Sequence, residues 1–461
     1  RSHQRQQLPR LPLASQCALS KQGHRFLTSL ATTSAAADPC ATSRLLRKFV
    51  ASSSKSVALT VLSHLLSPTT SHLSSLALPL YSMISEAAWF SWNPKLVADV
   101  IALLWKQDKL NEAEALIDET VLKLEFRERE LCAFYCNLIN THSKHKSKQG
   151  VLDSYSRLKD ALSHSSSIDL KQRAYESMIG GLCVIDLPQE AEIMMEEMKG
   201  LGVKPSAFEF RSLIYAYGRL GLFADMRRSV MLMEVGGFEL DTVCSNMVLS
   251  SLGVHNELLE MVSWLGRMKD LGVPFSIRTY NSVLNSCSTI MSAVQDPKSL
   301  PLSIEELMEI LDRDEALVLQ KLIGSSVLIE VMEWKTSELK LDLHGMHLGS
   351  AYLIMLQWFD ELRSRFLAGD EVVPTEIRVV CGVGKHSIVR GDSPVKGLVK
   401  EMMVRMKNPM RIDRKNIGCF IAKGRLSYGC ENLGEDSTME DYKELQAFEA
   451  KELEEITVDY A

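Results

Sequence analysis

From Gln172 to Ser276 the apolar and polar positions repeat at a fixed step. Three windows, AYESMIGGL from Ala174, EFRSLIYAY from Glu209 and CSNMVLSSL from Cys244, each set apolar residues at helical spacing behind an aromatic or small residue and a polar one. A fourth, TYNSVLNSC, begins at Thr279. The residues in matching phase, Glu176, Arg211, Asn246 and Asn281, lie 35 apart. Between windows runs a second amphipathic segment closed by a Gly turn: MMEEMKGLGVKPS, MLMEVGGFELD and WLGRMKDLGVPFS. A period of this size predicts an α-helical solenoid of helix pairs, because one pair cannot bury its apolar face without a neighbour.

The pattern extends upstream in degenerate form. Val97–Leu122 and Cys132–Leu162 each read as helix, turn, helix, so residues 93–171 form degenerate repeats ahead of the regular ones at 172–311. The step from Cys136 to Glu176 is 40, which places an insertion of about one turn near His142–Gln149 or Ser163–Ser167. The first of these holds His142, Lys144, His145, Lys146 and Lys148, a solvated loop or a phosphate contact. A junction helix is expected over 312–338. From Leu339 the texture changes to LKLDLHG, a long amphipathic segment, TEIRVVCGVGKHS, SPVKGLVKEMMVRM, MRIDRKN and GCFIAKGRL. Strand, helix, strand, helix, strand, strand predicts a small α/β sandwich over 339–430.

Composition narrows the function. The net charge is -6, so any nucleic-acid surface must be local. The acidic excess gathers in 431–461, a tail suited to protein partners more than to RNA. Ten scattered cysteines without a CxxC pair exclude a zinc site or disulfide framework as the organising device. No apolar run approaches a membrane span, so no membrane partner is expected. Residues 1–54 are basic and Ser-rich, with Asp38 the one acidic residue before Glu86; this composition predicts a transit peptide or disordered leader, cut near Ala37 or Ser54.

IRTYNSVL at Ile277–Leu284 and GVKPS at Gly202–Ser206 resemble the pentatricopeptide repeat family. The Trp and Gly-Tyr pair of a tetratricopeptide array are missing at their usual spacing. LDLHGMHLGSA, then CGVGKHS, then the N-x-G-x-x-x-A run at Asn416–Ala422 resemble the small MutS-related domain that ends a subset of plant organellar pentatricopeptide proteins. The first resemblance implies single-stranded RNA as partner. Two positions per repeat then choose the base: Glu176 with Ser206, Arg211 with Asp241, and Asn246 with Ser276, while Asn281 opens the next repeat. The Asn246–Ser276 combination is similar to one that prefers cytosine. Glu176 only accepts hydrogen bonds when ionised, and Arg211 suits a phosphate or a base face better than selection.

The second resemblance implies metal-dependent endonuclease chemistry at Asp342 and His344, with Asp342 as the Mg²⁺ ligand, and nucleic-acid contact at Gly382 and Gly384, extended by Lys385, His386 and Arg390. The family's Thr before the glycine turn is Cys381 here. Three functions stay open: an RNA binder that cuts, a non-enzymatic RNA or DNA binder in RNA processing, stability or translation, and a protein–protein scaffold. No small-molecule substrate is expected. The leader and the plant family together imply the chloroplast, with the mitochondrion as alternative.

Overall fold

The computed structural model describes residues 19–35, 38–67, 73–163, 165–335, 337–368, 374–384, 393–407 and 410–423. They fall into two compact units, Arg1–Asn256 and Glu257–Ala461. The acidic tail at 431–461 lies outside the described residues.

The first unit opens with α1 (Lys21–Ala35), α2 (Pro39–Ser52), α3 (Lys55–Leu65) and α4 (Ala77–Ser85). Within the expected leader at 1–54, the described residues therefore include the helices Lys21–Ala35 and Pro39–Ser52. Phe26 stacks on Phe49 with ring centroids 3.7 Å apart, and Leu30, Leu46, Val61 and Leu62 are buried between the helices. Asp38 caps α2 and Ser54 caps α3, each accepting a backbone N–H through its side chain. Ser-rich composition hid an amphipathic spacing whose apolar stripe is narrow but sufficient once the helices pack together. Ala37 lies outside the described residues.

Helix pairs follow. Each first, or A, helix is joined by a short turn to a second, or B, helix: α5 (Pro94–Lys106) to α6 (Leu110–Leu124), α7 (Glu128–Lys144) to α8 (Lys148–Leu162), α9 (Ile168–Val184) to α10 (Pro188–Gly200), and α11 (Ala207–Arg219) to α12 (Phe223–Val235). A further A helix, α13 (Thr242–Val254), completes the unit. Each B helix packs on its own A helix, and the A helices pack in succession from α5 to α13. The turn from A to B always passes through one left-handed residue: Asp108, Lys146, Asp186, Gly221 and Asn256, with φ between 59° and 71°. Gly202 and Gly237 do the same between a B helix and the next A helix, at φ 77° and 84°. A left-handed residue after the last helical turn closes the open carbonyls, which is why Gly, Asn and Asp recur there.

The insertion between Tyr135 and Tyr175 lengthens the end of α8 and the start of α9, flanking Ser163–Ser167. His142–Gln149 is an ordinary A-to-B turn.

The second unit begins with α14 (Leu258–Asp270), α15 (Ile277–Leu284), α16 (Ser288–Ala293), α17 (Ile304–Ile310), α18 (Arg313–Leu322) and α19 (Val327–Val331). The sheet follows: β1 (Met332–Trp334), β2 (Glu338–Asp342), α20 (Leu348–Ala368), β3 (Glu376–Val380), α21 (Pro394–Arg405), β4 (Arg411–Asp413) and β5 (Asn416–Lys423). Strand order is β1-β2-β3-β5-β4, with β2 and β3 parallel and the other pairs antiparallel. The 312–338 segment is therefore not one junction helix. It holds α18 and α19, and β1 already belongs to the sheet. Leu339, Leu341, Ile377 and Val379 are buried, while Lys340 and Arg378, between them in sequence, are half-buried. That alternation gives the sheet one packed face and one polar face carrying Lys340–Glu333 and Arg378–Glu338 ion pairs at 2.9 and 3.1 Å.

Candidate nucleic-acid interface

In α7, α9, α11 and α13 one burial rhythm recurs: two residues buried, two half-buried, two buried, at 134–139, 174–179, 209–214 and 244–249. The aromatic or small residue of each window lies in the first buried pair, so Tyr175 and Phe210 are core rather than stacking platforms, as are Met195 and Met198. The first half-buried residue is Cys136, Glu176, Arg211 or Asn246. Equivalent side chains of neighbouring A helices therefore reach solvent at the same register.

The predicted pairs are engaged within the protein. Glu176 accepts a hydrogen bond from Gln172 Nε2 at 3.0 Å, and the same amide reaches Glu209 Oε1 at 3.4 Å. Glu209 is fully buried, and its other oxygen accepts from both the backbone N–H and the hydroxyl of Ser206 at 2.7 Å. Ser206 is thus the N-cap of α11 in a reciprocal capping box. Burial pushes the Glu209 carboxyl pKa up, against the lowering effect of the Ser206 bonds. Arg211 donates to Asp241 Oδ2 at 2.7 Å, while Asp241 Oδ1 accepts from Cys244 N at 2.8 Å and caps α13. Its guanidinium already has a carboxylate partner. Ser276 caps α15 together with Thr279. All three last-position residues are helix caps. The Ser-x-x-Glu spacing at Ser206–Glu209 carried that signal in the sequence.

Asn281 departs from the series. It is only 9% exposed, and its amide is used at both ends: Nδ2 donates to Gly345 O at 3.0 Å, and Oδ1 accepts from His347 N at 2.9 Å. One turn on, Asn285 Nδ2 donates to His347 Nδ1 at 2.7 Å. The side chain expected to meet a base instead fastens α15 to the loop between β2 and α20. Tyr280, its fully buried neighbour, donates to Leu322 O at 2.8 Å.

The basic cluster at the end of α7 is also structural. His142 is buried with its ring edge-on to Trp105, 5.3 Å between centroids. Burial holds His142 and His145 down to a pKa of about 4. Lys146 Nζ donates to Val184 O at 2.6 Å and pairs with Asp186 at 3.4 Å. From the other side Arg219 pairs with Asp186 and donates to Cys183 O at 2.8 Å, and His255 Nε2 donates to Arg219 O at 3.1 Å. Cationic donors thus meet the carbonyl end of α9 from both neighbours, where the helix dipole favours them. Gly181 and Gly218 let the A helices approach closely; a Cβ on Gly218 would lie 2.3 Å from Ser251 Oγ.

At the sheet, Asp342 faces Val380 across the parallel register, so the ends of β2 and β3 share one edge. His344 is exposed beside Gly382, where an added Cβ would lie 3.4 Å from its Cδ2. Gly382 and Gly384 are left-handed, at φ 81° and 66°. One expected role needs correction. Gly382 N–H donates to Gly418 O at 3.1 Å, so it does not point to a phosphate. Asp342 Oδ1 accepts from His344 N at 3.0 Å, turning the chain, and Oδ2 lies 3.8 Å from Lys340 Nζ. Among the described residues no group of three or more His, Cys, Asp or Glu could hold a metal, so Asp342 would hold an Mg²⁺ ion only with water or phosphate oxygens filling the other positions. Burial pushes the Cys381 thiol up to about 12. Lys385, His386 and Arg390 lie outside the described residues. Among the described residues no helix is long and apolar enough to cross a membrane.

A family model described as PPR repeat matches residues 173–203 and 243–273. The chain is 56% identical over 409 residues to the Pentatricopeptide repeat-containing protein At2g17033 of Arabidopsis thaliana, spanning 88% of this chain and 81% of that protein. It is 22% identical over 198 residues to the Arabidopsis Pentatricopeptide repeat-containing protein At5g48730, chloroplastic, spanning 43% of this chain and 38% of that one. Among solved structures, the pentatricopeptide repeat protein PPR10 from maize aligns with a TM-score of 0.41 at 14% identity, covering 85% of this chain and 51% of PPR10. This chain therefore spans about half the length of PPR10.

Proposed function

The chain belongs to the pentatricopeptide repeat family, and from that premise we propose that it binds single-stranded RNA along the A-helix face of α7 to α13. The carrying observation is the shared register: Glu176, Arg211 and Asn246 reach solvent from the same half-buried position of three successive A helices. Successive bases of an unstacked strand can be matched one to a repeat on such a face. Specificity is modest. Glu176 offers only acceptors, Arg211 is held by Asp241, and Asn246, with a donor and an acceptor, is the position that selects a base.

We propose further that the sheet domain is of the small MutS-related type and serves to hold RNA rather than to cut it. The turn-forming role of Asp342 supports this, since one of its two carboxylate oxygens is already bound by the backbone of the loop. The protein would then act in the chloroplast by protecting or remodelling a transcript. The basic, Ser-rich start of the chain supports that compartment.

The test is a salt series of binding to fluorescein-labelled single-stranded oligonucleotides. Affinity should fall steeply with salt for the wild type, and Asn246→Ala should shift the preference at one base with overall affinity nearly kept. Absence of RNA binding at low salt would remove the proposal and leave the scaffold function. Incubation with RNA and Mg²⁺ should give equal fragment yields for the wild type and for Asp342→Ala combined with His344→Ala; a yield that drops in the variant would restore the nuclease.

A further inference from the structure

One turn after Cys136, Glu176, Arg211 and Asn246, the A helices share a further surface place. It falls at Asn140 of α7, Gly180 of α9, Tyr215 of α11 and Ser250 of α13. Residues four apart lie on one helix face, so this place is on the side that the four half-buried residues define. Gly180 is half-buried, and a Cβ there would lie 3.2 Å from Phe208 Cζ, so the Phe208 ring closes the place on α9. Asn140 and Ser250 are exposed and carry no ring. Tyr215 is 43% exposed, and among the described residues of α7, α9, α11 and α13 it is the one exposed aromatic side chain.

The polar side chains on this face of α11 are already in use. Arg211 is held by Asp241, and Ser212 Oγ donates to Phe208 O at 2.9 Å. Arg219, one turn after Tyr215, pairs with Asp186 and donates to Cys183 O at 2.8 Å. What α11 has left to offer a strand is a ring. The Arg219 guanidinium also lies over that ring, with its Cζ 5.8 Å from the centroid. A cation against one ring face is attracted by the π electrons, which settles the plane of the ring. Tyr215 is thus oriented before any ligand arrives, by a cation whose charge Asp186 already matches.

We propose that Tyr215 is a stacking platform for one base of the bound strand, the base lying on the ring face opposite Arg219. The contact deepens the RNA-binding reading above and rests on it. It adds affinity at one place on the strand without choosing the base, because every base has a π-face. A ring beside a guanidinium has a competing use, which is to brace Arg219 against the carbonyl end of α9. Stacking needs the ring and no charge, whereas bracing shows in stability, so substitution separates the two.

The full chain is titrated against fluorescein-labelled oligo-U, oligo-A and oligo-C over a range of KCl concentrations, as wild type, Asn246→Ala, Tyr215→Leu and Tyr215→Phe, with a thermal melt of each. Tyr215→Leu should bind all three oligonucleotides about 5- to 150-fold more weakly, the range that loss of one base–ring stack covers. Its salt slope should match the wild type, since no charge is removed. Tyr215→Phe keeps the ring and should stay within about 2-fold of the wild type. Oligo-U carrying 5-iodouridine, which couples on irradiation to a ring stacked on it, should label the tryptic peptide Ser212–Arg219 in the wild type and in Tyr215→Phe but not in Tyr215→Leu. An unlabelled peptide, or a Leu variant that keeps the wild-type affinity, overturns this contact alone when the wild type binds RNA and Asn246→Ala shifts base preference. A Phe variant as weak as the Leu variant overturns stacking in favour of a hydroxyl contact. A Leu variant that melts well below the wild type, with the wild-type peptide unlabelled, overturns it in favour of bracing. Wild-type protein that binds none of the oligonucleotides overturns the RNA-binding reading, and this contact with it.

Discussion

Replacing Asn281 by Ala should weaken the second unit while leaving base preference unchanged. The side chain makes two hydrogen bonds with one amide, donating to Gly345 O at 3.0 Å and accepting from His347 N at 2.9 Å. Each neutral hydrogen bond of this kind is worth about 1 kcal/mol net. Gly345 and His347 are themselves exposed, so water can reach the abandoned groups and the full desolvation penalty is not incurred. The expected loss is therefore about 2 kcal/mol, felt where α15 meets the loop before α20. Hydrogen exchange with mass spectrometry is the sharpest assay. Peptides covering 343–351 should exchange roughly 30-fold faster in the variant, the factor that about 2 kcal/mol implies for a local opening. Asn281→Asp should be no better, since it keeps the acceptor but sets a carboxylate against the Gly345 carbonyl. Unchanged protection in both variants, or a shifted base preference with unchanged protection, would refute the assignment of Asn281 to the loop.

Three further outcomes follow from the same packing. Gly218→Ala should destabilise the first unit by about 1–3 kcal/mol, because its Cβ would meet Ser251 Oγ at 2.3 Å, Ser251 Cβ at 2.6 Å and Met226 Sδ at 2.9 Å; chemical denaturation should show part of the loss recovered in the double variant with Ser251→Gly, the Met226 contact remaining. His142 and His145 are held near 4 against an ordinary value of 6.5, so the unfolded chain takes up protons first as pH falls; stability of the first unit should decline from pH 6.5 towards 4 and level off below, and a flat profile across that window would contradict their burial. Asp241→Ala should lower stability by about 1–2 kcal/mol, whereas Arg211→Ala should cost under about 1, since only the first removes the α13 cap along with the ion pair; equal losses in thermal melts would show that the cap contributes nothing.

Much of the architecture was legible without coordinates. The step of 35 from Glu176 to Asn281 reports helix pairs because a repeat must present its apolar face to an identical neighbour. The alternation in LKLDLHG and TEIRVV reports strands with one packed face. Less of the site was legible. Ser206, Asp241 and Ser276 share a phase, and phase alone cannot tell a residue that meets a ligand from one that caps the helix beginning beside it. The helices α1 and α2 were missed because a short amphipathic stripe carries little signal until a partner covers it.

By itself, then, the sequence determined the period, the pairing of helices and the positions whose side chains stand in equivalent places. Periodicity is a property of local geometry, and local geometry is written residue by residue. Which of those equivalent side chains are spent inside the protein was decided only in three dimensions. Asn246 and Asn281 carry the same side chain at the same phase, yet Asn246 is half-buried at the shared register while Asn281 is buried with both ends of its amide bonded. The difference comes from a loop more than sixty residues further along the chain, whose Gly345 carbonyl and His347 N–H meet the Asn281 amide. No local pattern announces such a contact, because it arises where distant segments meet.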